Sequence, residues 1–451
     1  MARIAALAIV ISLMGLALFA FGDAVVFADA RSTMTFGFLL LAAYLIGDVL
    51  SRFKLPKITG YILAGILFGP HLLDLVSAGT VRELKLIDDL ALTFIAFAAG
   101  GELRLEGLRE RRRSITLTVL FLTAIVFLGV AAFVLAARPL LPFLDGMPAG
   151  HGLAVALLLG TFAVARSPSS AIAIISECKA RGPFTEMVLG VTVVMDVLVI
   201  IVFAAMVSIS QLLITPGAQM DFQFIITMVV HLLGSILAGL VLGWVIRLYM
   251  KYVRAEVLVF ILAVAFMVTL FSRQFAMLLD HVFGIALHLE PMLICVTAGF
   301  WVRNFTRDGG LFMETIDRSS LPIYVIFFSL AGAALKIDAL SQTWLIALLL
   351  VAVRSLLIWI GAYLGGSFSG DPSLMRRMSG LSFITQAGVS LGLAGIVARS
   401  FPEWGAALST TIVAIVALNQ IIGPIAFKLA LGAVGESRGR GAASSQSQRT
   451  R

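Results

Sequence analysis

The residues best suited to chemistry in this sequence are a few polar groups inside long apolar segments. Asp196 is the only charged residue in the stretch GVTVVMDVLV, and in ARSPSS the pair Arg166 and Ser167 precedes Pro168. A carboxylate among apolar residues can take up and release a proton or hold a cation. Hydroxyl and carbonyl oxygens are the ligands that hard cations prefer. These residues therefore predict a site for a proton or a small cation.

The composition places these groups in a membrane protein. Of the 451 residues, 60% are hydrophobic and 13% are charged, and the mean hydropathy is +1.05, whereas soluble domains carry about 25% charged residues. The two cysteines lie in or beside apolar runs, and the five histidines show no metal-ligand spacing,. The catalytic motifs of hydrolases and nucleotide-binding enzymes do not occur. We expect no enzymatic activity, no cofactor, no bound metal beyond a transient monovalent cation, and no nucleic-acid partner despite the net charge of +8.

Apolar runs of about 20 residues, the length that crosses a bilayer, recur along the whole chain. The sequence predicts an all-α polytopic membrane protein with about 13–14 transmembrane helices. The predicted spans are 3–21, 35–51, 56–76, 85–104, 114–136, 152–177, 186–208, 222–250, 254–279, 282–302, 317–336, 341–364, 375–398 and 404–432. An extra N-terminal helix and loop (1–34) precedes the membrane domain (35–432), and a disordered basic tail (433–451) follows it.

The basic residues orient these spans. With fourteen crossings, 24 of the 33 lysines and arginines fall on one side and seven on the other, while Arg166 and Arg354 lie inside spans. Because cytoplasmic loops are enriched in Lys and Arg, the basic side is predicted to be cytoplasmic and to hold both termini. The bilayer is most consistent with a bacterial inner membrane.

Two pairs of similar segments indicate an internal repeat. FAAGGELRL begins at Phe97 and SLAGAALKI at Ser329, while LAGI begins at Leu63 and TAGF at Thr297. The first repeat (35–210) and the second (254–432) each hold six spans, and the linker helix (222–250) between them reverses the direction of the second. This arrangement predicts inverted six-helix repeats, in which the binding site lies near the midplane where the halves meet.

Two spans contain polar interruptions at matching positions, which indicates two broken crossing helices. In the span 152–177, Pro168 removes a backbone donor and frees carbonyl groups. In the span 375–398, the segment SFITQAGVS places Thr385 and Gln386 near the centre. Discontinuous helices at matching positions are the strongest indication of a transporter site that a sequence offers.

Three charges lie near the predicted midplane: Asp196, Arg354 and Arg166. A charged side chain there costs roughly 2.5–3.5 kcal/mol on insertion scales, so we expect these groups to face a cavity or one another. For Arg354 and Arg166, a structural role and a role in lining the site remain equally open, as they do for Thr385 and Gln386. The three charges sum to +1, and a bound cation would make +2, so either one arginine pairs elsewhere, with Glu102 or Glu177 as candidates, or the protein does not bind cations in the usual way.

Over about residues 35 to 430 the chain resembles the monovalent cation:proton antiporter superfamily, most closely its second bacterial family. The similar pieces are LPKITGYILAGILFGPHLL, FAAGGELRLEGLR, ARSPSSAIAIISE, GVTVVMDVLVI, IYVIFFSLAGAALKID and GLSFITQAGVSLGLA. The resemblance implies a homodimer in which a moving core carries the ion across the membrane as an elevator. It also implies that Asp196 binds proton and cation alternately, that Ser167 and Pro168 form the first crossover, that Gln386 lies at the second, and that Arg354 is the basic residue of the opposite half.

This chain departs from the family pattern at two places. The residue before the essential acid is usually Asn, Asp or Gln, whereas here it is Met195. Where many members have Thr-Asp-Pro at the first broken helix, this chain has Arg166, Ser167 and Pro168.

The sequence therefore predicts a secondary transporter that exchanges Na⁺ or K⁺ for protons, with the ion bound by Asp196 and Ser167. An organic-anion carrier of the same architecture, holding a carboxylate with Arg166 and Arg354, and a non-transporting membrane sensor are the alternatives.

Overall fold

The fold is known from a computed structural model, which describes residue 12 and residues 28–144, 146–214, 222–253, 256–283, 289–335, 337–386 and 388–437. These segments form seventeen α-helices, short 3₁₀ turns and connecting loops, and they contain no β-strand. The prediction of an all-α polytopic protein is confirmed. The predicted first helix (3–21) lies outside the described residues except for position 12, as does the predicted tail from residue 438.

Most helices overlap the predicted spans, but two are shorter than predicted: 57–68 against 56–76, and 291–305 against 282–302. Those of the first half and the linker are α1 (Ala28–Arg52), α2 (Lys57–Phe68), α3 (Ala78–Glu83), α4 (Lys85–Glu102), α5 (Leu105–Glu110), α6 (Arg112–Ala136), α7 (Ala149–Val164), α8 (Pro168–Cys178), α9 (Pro183–Ile214) and α10 (Phe222–Tyr252). Those of the second half are α11 (Val257–Phe283), α12 (Pro291–Phe305), α13 (Gly309–Ala333), α14 (Ile337–Ser369), α15 (Ser373–Ser382), α16 (Gly388–Ser400) and α17 (Gly405–Val434).

Seven helical stretches of the described residues are long and apolar enough to cross a membrane by themselves. They are Thr33–Arg52, Arg112–Ala136, Ala149–Cys178, Pro183–Ile214, Ile226–Tyr252, Thr343–Ser369 and Gly405–Val434. Several of the other predicted spans are shorter or more polar helices. One of them, α2, has twelve residues, eight of which are buried, so neighbouring helices rather than lipid surround it.

The first predicted interruption separates α7 from α8. The backbone is extended at Ala165 and Ser167, and Pro168 is the first residue of α8, a position where the missing N–H of proline costs no helical hydrogen bond. The Ser167 hydroxyl accepts a hydrogen bond from the backbone N–H of Ser170 at 3.2 Å, so Ser167 is the N-cap of α8. The chain thus ends one half-helix and begins another within three residues.

The second predicted interruption separates α15 from α16. Helix α15 ends at Ser382, the residues Ile384, Thr385 and Gln386 are not helical, and α16 begins at Gly388. Both broken helices therefore lie where the sequence predicts them.

Four glycines that the sequence repeat matches lie where helices of the two halves cross. Gly65 of α2 and Gly332 of α13 form one crossing, and Gly100 of α4 and Gly299 of α12 form the other. A Cβ atom at any of the four would overlap a backbone carbonyl oxygen of the facing helix. Only glycine allows the two backbones to approach this closely, which explains why Ala-Gly recurs in both halves.

Two carboxylates join chain segments on the basic side of the protein. The carboxylate of Glu436, just after α17, accepts the backbone N–H groups of Phe184 and Thr185, each at 2.8 Å, and so caps the start of α9. Glu177 accepts the backbone N–H of Lys57 at 3.0 and 2.9 Å and the ammonium group of Lys428 at 2.9 Å. Such anionic acceptors satisfy the free N–H groups of a helix start.

Candidate functional site

Asp196 faces a small cavity beside the first broken helix. It lies 13 residues after the start of α9, which is about 20 Å along the helix axis. The other residues that line the cavity come from α4, α8, α9 and α12: Ile95, Ala96, Ala99, Pro168, Ser169, Ile172, Val193, Val197, Met292, Leu293 and Val296. The cavity has a volume of about 20 Å³, enough for one water molecule or an ion of similar size.

One oxygen of the Asp196 carboxylate makes no hydrogen bond within the described structure. Its Oδ1 atom is buried and has no hydrogen-bond partner. A buried polar atom without a partner is uncommon and marks a position where an additional ligand or a proton would be favourable. The negative charge and the unpartnered oxygen thus belong to the same side chain.

The neighbours of Asp196 differ in part from those that the sequence singled out. Pro168 and Ser169 of α8 line its cavity, whereas Ser167 forms the N-cap of α8 and hydrogen bonds with Ser170. Met195 is fully buried and does not line the cavity. Ser169 is therefore the hydroxyl-bearing residue that shares the cavity with Asp196.

Arg354 binds the freed carbonyl groups of both broken helices. Its side chain is 2% exposed. It donates from Nε to the Ala163 carbonyl at 2.9 Å, from Nη2 to the Ala165 carbonyl at 3.0 Å, and from Nη1 to the Ile384 carbonyl at 2.8 Å. These carbonyls belong to the C-terminal ends of α7 and α15, where a cation is stabilised by the helix dipoles. Arg354 thus connects the two interruptions through hydrogen bonds.

Arg166 lies beside Arg354 on the same carbonyl groups. Its Nη1 atom donates to the carbonyls of Ala163 and Ala165 at 2.8 and 3.0 Å. It is 1% exposed, and its Nε and Nη2 atoms are buried without a partner. Backbone carbonyls therefore receive the hydrogen bonds of both midplane arginines, which lie beside one another, and Arg354 also borders a small cavity.

The predicted carboxylate partners of the arginines are engaged elsewhere. Glu177 binds Lys428 and the start of α2. Glu102 lines a separate cavity of about 500 Å³ on the basic side, together with Tyr61, Arg181 and Asp317. In the described residues neither arginine pairs with Glu102 or Glu177, so the first of the two possibilities that the sequence left open is not what the structure has. The reason is that the ends of broken helices supply acceptors that a sequence does not display.

The large cavity on the basic side, which we call the vestibule, reaches the helix that also borders Asp196. It is lined by Tyr61 of α2, Tyr324 of α13 and the outer part of α8. Consecutive residues of α8 contribute to the two spaces, Ile172 to the Asp196 cavity and Ala173 to the vestibule. The vestibule therefore ends within about one helical turn of the candidate site.

At the second interruption, polar side chains hold the chain in place. Gln386 donates to the Phe162 carbonyl and accepts a hydrogen bond from Asn419 of α17 at 2.9 Å. Thr385 is buried, and a Cβ atom at Gly423 of α17 would overlap it. Gln386 also borders a cavity of about 10 Å³ with Arg354, Phe162 and Ala163.

Glu290 is an acid close to the Asp196 cavity along the chain that the sequence analysis did not single out. It immediately precedes α12, whose Met292 and Leu293 line that cavity. Its backbone N–H is held by the Ser235 hydroxyl at 2.8 Å, while its side chain remains exposed. The sequence did carry a signal, because Glu290 falls inside the predicted span 282–302.

The comparisons with known proteins agree with this architecture. The chain is 25% identical over 409 residues to the Na(+)/H(+)-K(+) antiporter GerN of Bacillus cereus, covering 88% of this chain and 95% of that protein. It is 21% identical over 397 residues to the probable Na(+)/H(+) antiporter 3 of Methanocaldococcus jannaschii, covering 87% and 95%.

Solved structures of the sodium proton antiporter MjNhaP1 from Methanocaldococcus jannaschii share the fold. One superimposes with a TM-score of 0.70 at 17% identity, covering 90% of this chain and 98% of that chain. Another, at pH 8, gives a TM-score of 0.63 at 19% identity. The family described as sodium/hydrogen exchanger, transmembrane, matches residues 36–431. This multi-pass membrane protein therefore belongs to the sodium/hydrogen exchanger family.

Proposed function

We propose that this protein exchanges a monovalent cation, Na⁺ or K⁺, for protons, and that Asp196 is the group for which the two ions compete. The observation that carries the proposal is the unpartnered Asp196 oxygen in a cavity beside a broken helix. Protonated Asp196 is neutral, because the proton occupies the carboxylate in place of a cation. Deprotonated Asp196 offers an oxygen to a cation. The names of the relatives, all antiporters of Na⁺ and H⁺, support the same exchange.

The groups around the cavity favour a cation as the second substrate. Ser169 of the cavity lining offers a hydroxyl oxygen, and the acid Glu290 lies two residues before Met292, which also lines the cavity. The two buried arginines donate to backbone carbonyls at the crossover and neither forms an ion pair with Asp196 in the described part of the chain. A carboxylate substrate held by these arginines, the alternative that the sequence left open, has no support in this arrangement.

Alternating access is proposed to follow an elevator path, with the vestibule on the cytoplasmic side. In such a motion the core with α8, α9 and α17 slides against α2, α4, α12 and α13. The contact of Glu177 and Lys428 with the start of α2 crosses this boundary and would have to break during the stroke. Homodimer assembly and the cytoplasmic position of both termini belong to the same proposal.

The experiment is ion exchange by the purified full-length protein in liposomes that carry an acid-inside pH gradient and a trapped pH dye. Adding Na⁺, K⁺ or Li⁺ outside is expected to dissipate the gradient in wild-type vesicles. Asp196→Asn is expected to reduce the rate to that of empty liposomes, because an amide cannot exchange a proton for a cation.

The matched control is Glu314→Gln, which neutralises an exposed acid paired with Arg318 on the surface. It is expected to keep the wild-type rate. Wild-type exchange by Asp196→Asn would refute the role of Asp196, and failure of every cation to collapse the gradient would refute cation exchange itself.

A further inference from the structure

Arginines gather where two membrane-spanning helices meet on the basic side. Helix α6 begins at Arg112 and α14 ends at Ser369, and both contain stretches long and apolar enough to cross a membrane. The two helices pack closely, since a Cβ atom at Gly365 of α14 would lie 2.6 Å from the Cα atom of Thr118 of α6. The arginine patch is the set of four arginines around this junction: Arg112, Arg113, Arg376 and Arg377.

Two members of the arginine patch bind consecutive residues at the end of α14. Arg113 of α6 donates from Nη2 to the Phe368 carbonyl at 3.1 Å. Arg376 of α15 donates from Nη1 to the Ser367 hydroxyl at 3.4 Å. Two guanidinium groups from different helices are therefore held at one place. The other two members, Arg112 and Arg377, are exposed.

The charge at this junction is positive. Asp371, in the loop between α14 and α15, lies beside the arginines, and its Oδ2 atom accepts the hydroxyls of Ser114 at 2.6 Å and Ser369 at 2.8 Å. The arginine patch and Asp371 together carry a formal charge of +3. The starts of α6 and α15 meet the end of α14 here, and neither start has a side-chain cap. Two positive helix ends against one negative end add to the attraction for an anion.

The position of the arginine patch along α14 corresponds to the headgroup layer of a bilayer. Ser367 lies 13 residues after Arg354 in α14, which is about 20 Å along the helix axis. With Arg354 at the crossover taken as the midplane, the hydrocarbon ends about 15 Å away, so the arginine patch lies just outside it. Tyr363 lies between the two levels, with the Arg376 guanidinium 5.8 Å from its ring centroid, and tyrosine is enriched at this interface.

The helices below the arginine patch present an apolar face to the surroundings. Only 33% of the apolar stretch of α6 and 39% of that of α14 is buried inside the protein. Leu120 of α6 and Leu356 of α14 are 61% and 58% exposed. Because these stretches span the membrane, lipid chains can cover them. The junction thus offers a positive group of side chains directly beside an exposed apolar surface.

We propose that an anionic phospholipid binds at this junction, with its phosphate on the arginine patch and its acyl chains along α6 and α14. The phosphate complements the positive charge, and arginine is well suited to bind phosphate oxygens. Basic sites between spanning helices on the cytoplasmic side are a known type of lipid headgroup site. A phospholipid matches both parts of the junction, whereas a soluble anion matches the arginine patch alone.

The test is thermal unfolding of the delipidated, full-length protein in a neutral detergent, with phosphatidylglycerol or with phosphatidylcholine of the same acyl chains. A ligand that binds the folded state raises the melting temperature. We expect a larger rise with phosphatidylglycerol. The double variant Arg112→Gln/Arg377→Gln is expected to lose at least about half of the difference between the two lipids, because it removes two of the four positive charges. It leaves the contacts of Arg113 and Arg376 with α14 in place.

The matched control is Arg104→Gln/Arg307→Gln, which removes two exposed arginines elsewhere on the basic side and is expected to keep the full difference. Equal melting of the wild type in the two lipids would overturn the proposal, and so would an equal loss in both double variants. Inorganic phosphate at matched ionic strength is expected to have no effect. A rise as large as that with phosphatidylglycerol would assign the arginine patch to a soluble anion instead.

Photo-crosslinking of the wild-type protein gives a second measurement that does not depend on a variant folding. The probe is phosphatidylglycerol with a photoreactive group on its headgroup, and the label is expected in peptides that cover residues 109–121 or 367–378. Labelling that avoids both segments would overturn the proposal. Because neither measurement involves ion transport, its outcome is independent of the proposed cation exchange.

Discussion

The two broken helices occupy equivalent places in the two halves but carry different chemistry. At the first, Pro168 and Ser169 border a cavity with the acid Asp196, and Arg166 keeps a free donor edge. At the second, Gln386 is bound at both ends of its amide, to the Phe162 carbonyl and to Asn419. Buried atoms without a partner occur at both interruptions, but at the first they belong to the charged groups of Asp196 and Arg166, and at the second to neutral groups (Ser382 Oγ, Ser390 Oγ and Asn419 Oδ1).

Two halves with the same helix arrangement can therefore carry different functional groups at equivalent positions. Asn419 lies in α17 near the place that corresponds to Asp196 in α9, yet its amide nitrogen donates a hydrogen bond to Gln386. The first half therefore supplies the carboxylate with an unpartnered oxygen, and the second half supplies Arg354 and Gln386, which bind the carbonyls of the first crossover.

The largest expected effect comes from moving the acid from one half to the other. The double variant Asp196→Asn/Asn419→Asp is expected to show no cation exchange in liposomes, because position 419 is fully buried and engaged with Gln386. Asn419→Asp alone, with Asp196 intact, is the companion measurement and is expected to retain exchange at a reduced rate. Recovery of exchange in the double variant would show that the two halves are chemically equivalent.

The next effect in size concerns Arg354, which joins the two interruptions. Arg354→Met is expected to lower the free energy of unfolding by about 2 kcal/mol or more, because the buried Ile384 carbonyl loses its donor,. Thermal melting of the detergent-purified protein measures this. Arg318→Met, which removes an exposed arginine, should melt like the wild type; a similar loss in both variants would contradict the structural role of Arg354.

A smaller effect is expected at the second crossover. Gln386→Leu breaks the link between the Phe162 carbonyl and Asn419, which should cost about 1–3 kcal/mol of stability while leaving measurable cation exchange. Thr410→Val, which changes an exposed hydroxyl of α17, is the control for both measurements. Complete loss of exchange in a folded Gln386→Leu protein would place Gln386 in ion binding rather than in support.

The smallest effect tests whether the second half contributes to the Asp196 cavity through Glu290. Glu290→Gln is expected to raise the cation concentration for half-maximal exchange by about threefold to tenfold, because it removes an acid that lies two residues before the cavity-lining Met292,. The maximal rate should stay within about twofold of wild type. Glu403→Gln, at an exposed acid next to His151, should change neither value, and an unchanged half-maximal concentration in Glu290→Gln would exclude Glu290.

The sequence predicted the features that depend on local composition. Apolar runs fix the spans, Pro168 fixes the first interruption, and the lone charge in GVTVVMDVLV singles out Asp196. What it could not predict depends on three-dimensional partners: the acceptors of Arg166 and Arg354 are backbone carbonyls, and every residue has a carbonyl. Glu290 was missed for a different reason: the sequence placed it near the middle of the predicted span 282–302, whereas the structure places it just before α12, which begins at Pro291.

The cap that Glu436 places on the start of α9 has a practical consequence for handling this protein. The helix that carries Asp196 begins against a carboxylate located two residues beyond the end of α17. A purification tag or fluorescent reporter joined directly after Val434 would delete that carboxylate, whereas one joined after Ser437 would retain it. Fusions that differ by only three residues should therefore differ in the behaviour of the purified protein.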